Sequence, residues 1–287
     1  MRVIVITGCS TGIGLVTARH LARRGDRVYA TARHPDRSAA LQEAASAEPN
    51  IRTLALDVTD SGSVAAAIET VLSGEGHIDA LVNNAGIGVF GTFEFTPEAE
   101  ARATFETNFW GVMRVTRAVL PSMRARKKGV IVNISSVAGR LAAPGMGVYP
   151  ASKFALEAAS EALAREVYSH GIRVAIVEPG FVVTPILDKG IDSLTLDAAS
   201  PYADVERRVN MMFTNAKQVG SDPQVIAEVI EEAIASNASK LRYPAGADAS
   251  VVLAARARMS DEDWIALGRP MSDEEYFAEM ARMFTPQ

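Results

Sequence analysis

The sequence predicts an α/β fold of one domain, in which a doubly wound parallel sheet of about seven strands is covered by helices on both faces. Short apolar segments rich in β-branched residues alternate along the chain with longer segments of helical periodicity. The short segments are almost continuously apolar, which is typical of strands that are buried on both faces. The predicted strands are Val3–Thr7, Arg27–Thr31, Ile51–Leu56, Ala80–Asn83, Gly129–Ile134, Arg173–Val177 and a short last one at Lys240–Tyr243.

The helical segments divide the chain into a main body and an extension. We expect residues 1–244 to form the sheet domain and residues 245–287 to form a helical extension of the same domain. Residues 185–221 carry mixed helical signals without a strand pattern, and we expect them to form a mobile lid. Ser260 and Ser272 each precede acidic residues, which suits the N-caps of two helices in the extension. The clearest predicted helices are Ser63–Leu72, Glu98–Arg126, Pro150–Ser169 and Pro223–Ser236.

Composition limits the possible function classes. The net charge is −5, and the short basic segment Arg124–Lys128 is an ordinary helix end rather than a tract that binds nucleic acid. No apolar run reaches the ~20 residues that span a bilayer. The first strand follows Met1 directly, so we expect a cytoplasmic protein without a signal peptide. The single cysteine, Cys9, excludes an internal disulfide, and a small side chain that fills a turn is favoured over a redox switch. We expect no metal site.

A glycine-rich turn follows the first predicted strand. It reads Thr7-Gly8-Cys9-Ser10-Thr11-Gly12-Ile13-Gly14, and a helical pattern begins at its end. In such a strand–turn–helix unit, backbone N–H groups and the positive end of the helix receive a pyrophosphate. Glycines serve there because a Cβ would block the close approach of the phosphates. The spacing Gly-x-x-x-Gly-x-Gly is a variant of the dinucleotide fingerprint and predicts a nucleotide-binding Rossmann fold.

A tyrosine and a lysine form the candidate proton-transfer pair. Tyr149 and Lys153 stand four residues apart, so on a helix their side chains share one face. A free phenol titrates at about pH 10, and a nearby ammonium group lowers this pKa because it favours the phenolate. Ser136 is a candidate for orienting a substrate oxygen beside this pair. The alternative is that Tyr149 and Lys153 are exposed residues at a helix start, where Pro150 fits the first helical position.

Several motifs occur together in an order that typifies one enzyme family. They are Thr7-Gly8-x-x-x-Gly12-x-Gly14, Asp57, Asn83-Asn84-Ala85-Gly86, Asn108, Ser136, Tyr149-x-x-x-Lys153 and Pro179-Gly180. With these motifs, about residues 2–185 resemble the short-chain dehydrogenase/reductase family. That resemblance implies hydride transfer between a nicotinamide and a carbonyl or alcohol carbon. The segment around Tyr243 and the helical tail more weakly resemble the 17β-hydroxysteroid and retinol dehydrogenase-like branch of the family.

The resemblance implies a role for each candidate catalytic residue. The family's serine lies thirteen residues before its tyrosine, and this spacing selects Ser136 over the neighbouring Ser135. Ser136 would hold the substrate oxygen and Tyr149 would exchange the proton. Lys153 would lower the tyrosine pKa and bind the nicotinamide ribose. Asn108 would hold a water molecule that links the lysine to solvent, and a purely structural asparagine is the alternative.

The end of the second predicted strand indicates which cofactor is used. Ala32 stands where family members that use NAD carry an aspartate, and Arg33 follows it. A carboxylate would repel a 2′-phosphate, whereas an arginine can pair with it bidentately. We therefore expect NADP(H), with a solvated Arg33 as the alternative. Asp57 resembles the family's adenine-contacting aspartate, although it could equally cap the next helix. The expected cofactor contacts are Gly8, Ser10, Thr11, Gly12, Ile13, Gly14, Arg33, Asp57, Val58, Asn84, Ala85, Gly86, Tyr149, Lys153, Pro179, Gly180, Val182 and Thr184.

Together these residues predict an NADP(H)-dependent carbonyl reductase or alcohol dehydrogenase. The alternative is a sensor or scaffold that binds the cofactor without turnover, but such a protein would be expected to lack Ser136, Tyr149 or Lys153. An apolar pocket favours bulky ketones, because each buried methylene contributes about 0.8 kcal/mol. The predicted pocket residues are Val89, Phe90, Phe93, Leu141, Met146, Val148, Ile186, Leu187, Met211, Met212 and Phe213.

Two helical segments carry more apolar residues than one sheet-facing stripe needs. Glu98–Arg126 includes Trp110, and Pro150–Ser169 includes Phe154 and Leu163. Members of the resembled family pair through these two helices, so the resemblance implies a homodimer or a homotetramer. The expected partner is otherwise a small carbonyl or alcohol substrate, with neither nucleic acid nor a membrane span involved.

Overall fold

One parallel sheet forms the centre of the molecule in a computed structural model that describes residues 1–192, 194 and 197–284. Its strands are β1 Val3–Ile6, β2 Arg27–Ala32, β3 Ile51–Ala55, β4 Ala80–Asn83, β5 Gly129–Ile134, β6 Ile172–Pro179 and β7 Arg242–Ala245. They lie in the order β3-β2-β1-β4-β5-β6-β7, and all pairings are parallel. The strand order changes direction between β1 and β4, which opens a crevice at their carboxyl ends. The predicted seven-stranded doubly wound fold is confirmed.

Helices cover both faces of the sheet, because alternate strand residues are apolar on both sides. Ile4 and Ile6 of β1 pack into a cluster with Leu21, whereas Val5 packs into a second cluster with Ile68 on the opposite face. The helices are α1 Gly12–Arg23, α2 Ala39–Ala47, α3 Ser61–Glu75, α4 Glu98–Phe105, α5 Val112–Arg126, α6 Val148–Val167, α7 Pro185–Asp192, α8 Ala203–Val219, α9 Pro223–Ala235, α10 Ala249–Arg258, α11 Asp261–Ala266 and α12 Asp273–Phe284.

The predicted helix over Glu98–Arg126 is interrupted in the middle. A π-helical turn, Glu106–Gly111, separates α4 from α5. Gly111 allows this turn to pack closely, since a Cβ there would lie 2.8 Å from Cγ2 of Val58. Turns of this kind are rare and occur often at functional sites. The turn carries Asn108, one of the candidate catalytic residues.

The last strand lies two residues later than predicted. β7 pairs with the end of β6 through Arg242–Ala245 rather than Lys240–Tyr243. Pro244 is tolerated there because β7 is an edge strand and one of its sides needs no ladder hydrogen bonds. Tyr243 is fully buried and anchors the strand in the core.

The lid and the extension are mostly helical. Ser260 Oγ accepts from the Asp263 amide at 3.0 Å, and Ser272 Oγ accepts from the Glu275 amide at 3.2 Å, so both serines are the predicted N-caps. No helix within the described ranges is long and apolar enough to cross a membrane. Residues 193, 195 and 196 of the predicted lid lie outside the described residues. The mobility of the lid and the boundary at residue 244 stay predictions.

Candidate active site

The glycine-rich turn packs tightly against the loop that follows β4. Gly8 has φ +74°, and a Cβ there would lie 2.7 Å from the Ala85 Cα. A Cβ on Gly14 would lie 2.4 Å from Nδ2 of Asn84. The first turn of α1 contains no acidic residue, and within the described structure the Thr11 side chain makes no cap hydrogen bond. The first turn of α1 thus has neither an acidic residue nor a hydrogen bond from its own N-cap side chain, which suits an anionic ligand.

Cys9 is enclosed within this turn. Its side chain is fully buried, and Sγ donates to the Ile6 carbonyl at 3.3 Å. Burial raises the pKa of the Cys9 thiol to about 12. A thiol that stays protonated and inaccessible is a poor nucleophile, so the geometry favours the space-filling role over the redox switch.

Hydrogen bonds fasten the end of β4 to the glycine-rich turn. Thr7 Oγ1 accepts from the amides of Asn84 and Ala85, each at 3.0 Å. Asn84 Nδ2 donates to the carbonyls of Thr7 at 2.9 Å and Gly8 at 3.1 Å. Its side chain is thus engaged with the glycine-rich turn, and a cofactor contact by the backbone of residues 84–86 stays a prediction. Asn83 behaves differently: it is buried and its Nδ2 donates to Asn133 Oδ1 at 2.8 Å, which links β4 to β5.

Asn108 connects three parts of the site from within the π-helical turn. The residue is fully buried. Its Oδ1 accepts from the Ile87 amide and its Nδ2 donates to the Ile87 carbonyl, both at 2.9 Å. Nδ2 also donates to Ser152 Oγ at 3.1 Å, and that hydroxyl donates to the Tyr149 carbonyl at 2.7 Å. Asn108 therefore fixes the loop after Gly86 against the first turn of α6, a structural role that the sequence left as the alternative.

Ser136, Tyr149 and Lys153 lie together at the carboxyl end of β5. A hydrogen bond joins Ser136 to Tyr149, and Lys153 Nζ lies 5.7 Å from the centroid of the Tyr149 ring. Lys153 is almost fully buried, and its Nζ donates to the Ile134 carbonyl at 2.8 Å. Ser135, by contrast, is buried, while Ser136 is partly exposed.

Protonation of the pair differs from the expectation. Burial raises the pKa of Tyr149 to about 12, and the hydrogen bond with Ser136 acts in the opposite direction. Burial lowers the pKa of Lys153 to about 8, against the charge of Glu157, which raises it. The expected lowering of the tyrosine pKa by Lys153 is therefore wrong for this structure. The reason is that burial dominates and the ammonium group is hydrogen-bonded to a backbone carbonyl instead of the phenol.

The loop after β6 is held by residues that sequence reasoning missed. Asp248 Oδ2 accepts from the Phe181 amide at 3.0 Å. A Cβ on Gly180 would lie only 2.0 Å from Asp248 Oδ1, so this position requires glycine. The Ser221 carbonyl accepts from the Val183 amide at 3.0 Å. No local signal marks Asp248 or Ser221, because both act on a loop that is distant in the sequence.

At the end of β2, Arg33 is exposed and near Asp57. Burial alone would raise the pKa of Asp57, but hydrogen bonds from Thr59 and the charges of Arg33 and a neighbouring histidine hold it below its usual value. The sequence allowed Asp57 to cap α3, but it does not. That position belongs to Asp60, whose Oδ1 accepts from the Gly62 amide at 2.7 Å. Ser10 and Thr11 are exposed beside this end of the crevice, whereas Val58 is buried.

The predicted pocket residues separate into two groups. Five of them lie in one apolar cluster that lid residues form together with two neighbouring loops: Phe90, Met146, Leu187, Met212 and Phe213. The Phe90 ring lies 5.9 Å from the Tyr149 ring and 4.6 Å from the Phe213 ring, so it connects the lid to the candidate proton donor.

The other predicted pocket residues lie outside this cluster. Phe93 and Met211 are exposed, 86% and 43% respectively, so their place in the pocket stays a prediction. Both sit on surfaces that no described element covers. Val89 is buried apart from the cluster, and the partly buried members of this group are Leu141, Val148 and Ile186.

The helical extension contacts both walls of this pocket. Asp273 Oδ2 accepts from Nε of Arg207 at 2.7 Å, and its Oδ1 accepts from Nε of Arg208 at 2.9 Å, which joins α12 to α8. Trp264 Nε1 donates to the Ala142 carbonyl at 3.1 Å, in the loop that leads to Met146. These contacts were also missed, because they depend on how three distant segments meet.

Comparison with known proteins agrees with the arrangement of the site. A family model described as short chain dehydrogenase matches residues 2–193. The 3-ketodihydrosphingosine reductase of Bacteroides thetaiotaomicron is 37% identical, over 88% of this chain and 91% of its own length. Retinol dehydrogenase 8 of Bos taurus is 37% identical, over 84% of this chain and 80% of its own length.

Solved structures share the fold and differ in their bound cofactors. The crystal structure of a short-chain dehydrogenase from Streptomyces avermitilis has a TM-score of 0.76 and 34% identity, and the match covers 98% of this chain and 99% of that one. A short-chain dehydrogenase/reductase from Burkholderia phymatum in complex with NAD has a TM-score of 0.77 and 25% identity, over 94% and 96% of the chains. A metagenomic short-chain oxidoreductase in complex with NADP has a TM-score of 0.65 and 31% identity, over 85% and 96%. This chain belongs to the short-chain dehydrogenase/reductase family of oxidoreductases, and its likeness to a retinol dehydrogenase fits the predicted branch.

Proposed function

We propose that this protein is an NADP(H)-dependent carbonyl reductase or alcohol dehydrogenase for hydrophobic ketones, aldehydes or secondary alcohols. The observation that supports this most strongly is the meeting of Ser136, Tyr149 and Lys153 at one end of β5. This group lies on the same edge of the sheet as the glycine-rich turn, so a nucleotide seated at α1 can extend toward the phenol.

The residues of the crevice fit a nicotinamide dinucleotide. Close packing of Gly8 and Gly14 against the protein fixes the shape of the turn, and the positive end of α1 has no acidic partner in its first turn. When bound, the cofactor supplies a hydride to the carbonyl carbon or accepts one from the alcohol carbon. The pyrophosphate would lie at residues 12–14, the adenine at Asp57 and Val58, the 2′-phosphate at Arg33, and the nicotinamide at residues 179–184.

The chain's own residues supply the proton transfer. In the reductive direction, the Tyr149 hydroxyl donates its proton to the carbonyl oxygen while Ser136 holds that oxygen. A tyrosine pKa of about 12 keeps the phenol protonated at neutral pH, which suits a proton donor. Lys153, which the Ile134 carbonyl holds beside the tyrosine, would bind the nicotinamide ribose. Oxidation of an alcohol requires the phenolate instead, so its rate should rise with pH.

The cofactor preference is tested at the end of β2. Arg33→Ala should weaken NADPH binding by about 1.5–3 kcal/mol, the scale of a charged hydrogen bond, and leave NADH affinity nearly unchanged. Arg102→Ala is a matched control, because Arg102 is exposed on α4 and pairs with Glu98. Fluorescence titration of both cofactors measures the effect. Equal affinities of the unmutated protein for NADPH and NADH would contradict the proposal.

The reaction is tested by following NADPH absorbance with a panel of ketones. Two relatives are named for 3-ketodihydrosphingosine and for retinol, a ketone and an alcohol. Together with the apolar cluster at the lid, these names support bulky apolar substrates. Binding of NADPH without turnover across the panel would favour the sensor or scaffold. Faster turnover of small charged keto acids than of apolar ketones would contradict the proposed pocket.

We also propose that the chain forms at least a homodimer. Trp110 in the π-helical turn is 48% exposed and Phe154 on α6 is 44% exposed. Large apolar side chains exposed on neighbouring helices are typical of surfaces that pair. Light scattering at micromolar concentration measures the mass, and a monomeric mass would contradict this assignment.

A further inference from the structure

An open cavity of about 270 Å³ lies between the start of α7 and the end of α8. A lysine on α8 supplies its positive charge. Lys217 Nζ lies 2.5 Å from Oδ1 of Asp188, and both side chains are partly exposed, 39% and 61%. This cation and its partner belong to none of the interactions described so far. The cavity is lined by Val183, Thr184, Pro185, Leu187, Asp188 and Lys217.

The position of Thr184 places this cavity beside the glycine-rich turn. A Cβ on Gly12 would lie 3.4 Å from Thr184 Cγ2 and 3.9 Å from Pro185 Cδ. Gly12 is the first residue of α1, whose positive end lacks an acidic partner in its first turn. The side of the cavity formed by Thr184 and Pro185 therefore adjoins the point where the proposed function seats a pyrophosphate.

We propose that Lys217 is a cofactor-binding residue that pairs with the pyrophosphate of the bound dinucleotide and releases Asp188 to do so. The proposal rests on the proposed function, since it needs a dinucleotide at α1. A phosphate competes well with an exposed carboxylate because the ammonium group is a compact point charge on a flexible stem. The Asp188 contact is solvent-exposed, and exposed pairs of this kind are weak.

The sheet order identifies which phosphate Lys217 can reach. Arg33 follows β2, whereas Thr184 follows β6, and these strands are four positions apart in the sheet. The turn after β1 reaches across to Thr184 at Gly12, whereas Arg33 follows a strand one position farther from β6. The pyrophosphate proposed beside Gly12 is therefore the negative charge that this cavity adjoins, and the 2′-phosphate proposed at Arg33 lies farther along the sheet.

This pairing would couple cofactor binding to the lid. Lys217 lies one turn along α8 from Phe213, whose ring contacts Phe90, which in turn contacts Tyr149. An ion pair between Lys217 and the cofactor would hold α8 over the apolar cluster. The lid would then be fixed in place by the molecule that supplies the hydride, before a substrate binds.

The test is a binding titration without substrate, which needs no turnover. Lys217→Met should weaken both NADPH and NADH by about tenfold, as expected for the loss of one charged hydrogen bond. The effect should shrink as salt is raised, because the pair is partly exposed. Arg33→Ala, in contrast, should weaken NADPH alone. Lys189→Met is the matched control, since Lys189 is an exposed lysine next to Asp188 that does not line the cavity.

Two further variants separate the charge of Lys217 from its effect on folding and from its pairing with Asp188. Lys217→Arg retains the charge and should retain most of the affinity, which separates the charge from a loss of folding. Asp188→Asn removes the competing carboxylate and should tighten both cofactors by about threefold, in keeping with an exposed pair.

Several results would overturn the proposal. Unchanged affinities in Lys217→Met, while Arg33→Ala weakens NADPH, would refute the role of Lys217 and leave the proposed function intact. A loss confined to NADPH would assign Lys217 to the 2′-phosphate, and a loss confined to turnover of charged substrates would assign it to the substrate. Failure of the unmutated protein to bind either dinucleotide would overturn the proposed function itself.

Discussion

The carboxyl edge of the sheet and the lid above it are held by different forces. At the edge, buried side chains such as Asn108 and Thr7 make hydrogen bonds that tie neighbouring loops together. At the lid, Phe213 packs against Phe90 of the loop after β4, and partly exposed ion pairs such as those of Asp273 hold the helices. Buried hydrogen bonds fix a geometry, whereas apolar contacts and exposed charges tolerate displacement. The proposed chemistry thus sits on the rigid part, and substrate selection sits on the adjustable part.

The sharpest test of the rigid edge is Tyr149→Phe. The ring is kept and the transferable proton is lost, so kcat should fall by at least ~100-fold, while the Kd for NADPH changes little. Tyr168→Phe serves as a control, because Tyr168 is exposed at the far end of α6. Steady-state kinetics with one active ketone measures the loss. Turnover near that of the unmutated protein would remove Tyr149 from the chemistry.

A second test concerns a buried carboxyl group at the same edge. Glu178 is the residue before Pro179, and it is 1% exposed. Burial, and then the charge of Glu157, raise its pKa to about 7 from a usual value of 4.5, although Arg140 and Arg242 act in the opposite direction. The folded protein therefore holds a proton that the unfolded chain releases, and stability should fall as pH rises from about 5 to 7.5.

Glu178→Gln removes this titration. Relative to the unmutated protein, the variant should gain about 2 kcal/mol of unfolding free energy between pH 5 and pH 8, less than the full linkage because part of the titration lies below pH 5. Urea unfolding at the two pH values measures the difference. Glu161→Gln is the control, since Glu161 also pairs with Arg242 but is exposed. Parallel stability curves for Glu178→Gln and the unmutated protein would show that this edge holds no extra proton.

The smallest effect is expected in the lid. Asp273→Asn removes the charge that pairs with both Arg207 and Arg208, and should raise KM for bulky ketones about two- to fivefold while kcat is preserved, because these pairs are partly exposed and modest in strength. Asp204→Asn is the matched control, because Asp204 pairs with Arg207 alone, within α8. Added salt should reproduce part of the effect in the unmutated protein. A fall in kcat equal to that of Tyr149→Phe would show that lid and edge act as one unit.

The sequence predicted the sheet well because its strands are buried on both faces. β1 and β5 read as continuous apolar runs, and their bounds agree closely with the expectation. The π-helical turn around Asn108 was not predicted, since one wide turn hardly disturbs the apolar period of the helices on either side. β7 was placed two residues early, because its position depends on pairing with β6.

The candidate site was predictable as a set of residues and less so as an electrostatic environment. Motif spacing was enough to bring Ser136, Tyr149 and Lys153 together. The direction of the Tyr149 pKa shift was wrong, because it depends on burial beside Phe90, which lies 59 positions away in the chain. The roles of Asp248 and Ser221 could not be predicted for the same reason, since each residue contacts a loop that is far from it in the sequence.

The contact between Asp248 and the loop after β6 also has a consequence for biosynthesis. Phe181 and Asp248 are separated by 67 residues. At about 5–20 residues per second, a ribosome adds that length in roughly 3–13 s. During this interval Ser136, Tyr149 and Lys153 are already part of the nascent chain, whereas the proposed nicotinamide loop still lacks the carboxylate that shapes it. The last part of the proposed cofactor site to form should therefore be the part at which the hydride is exchanged.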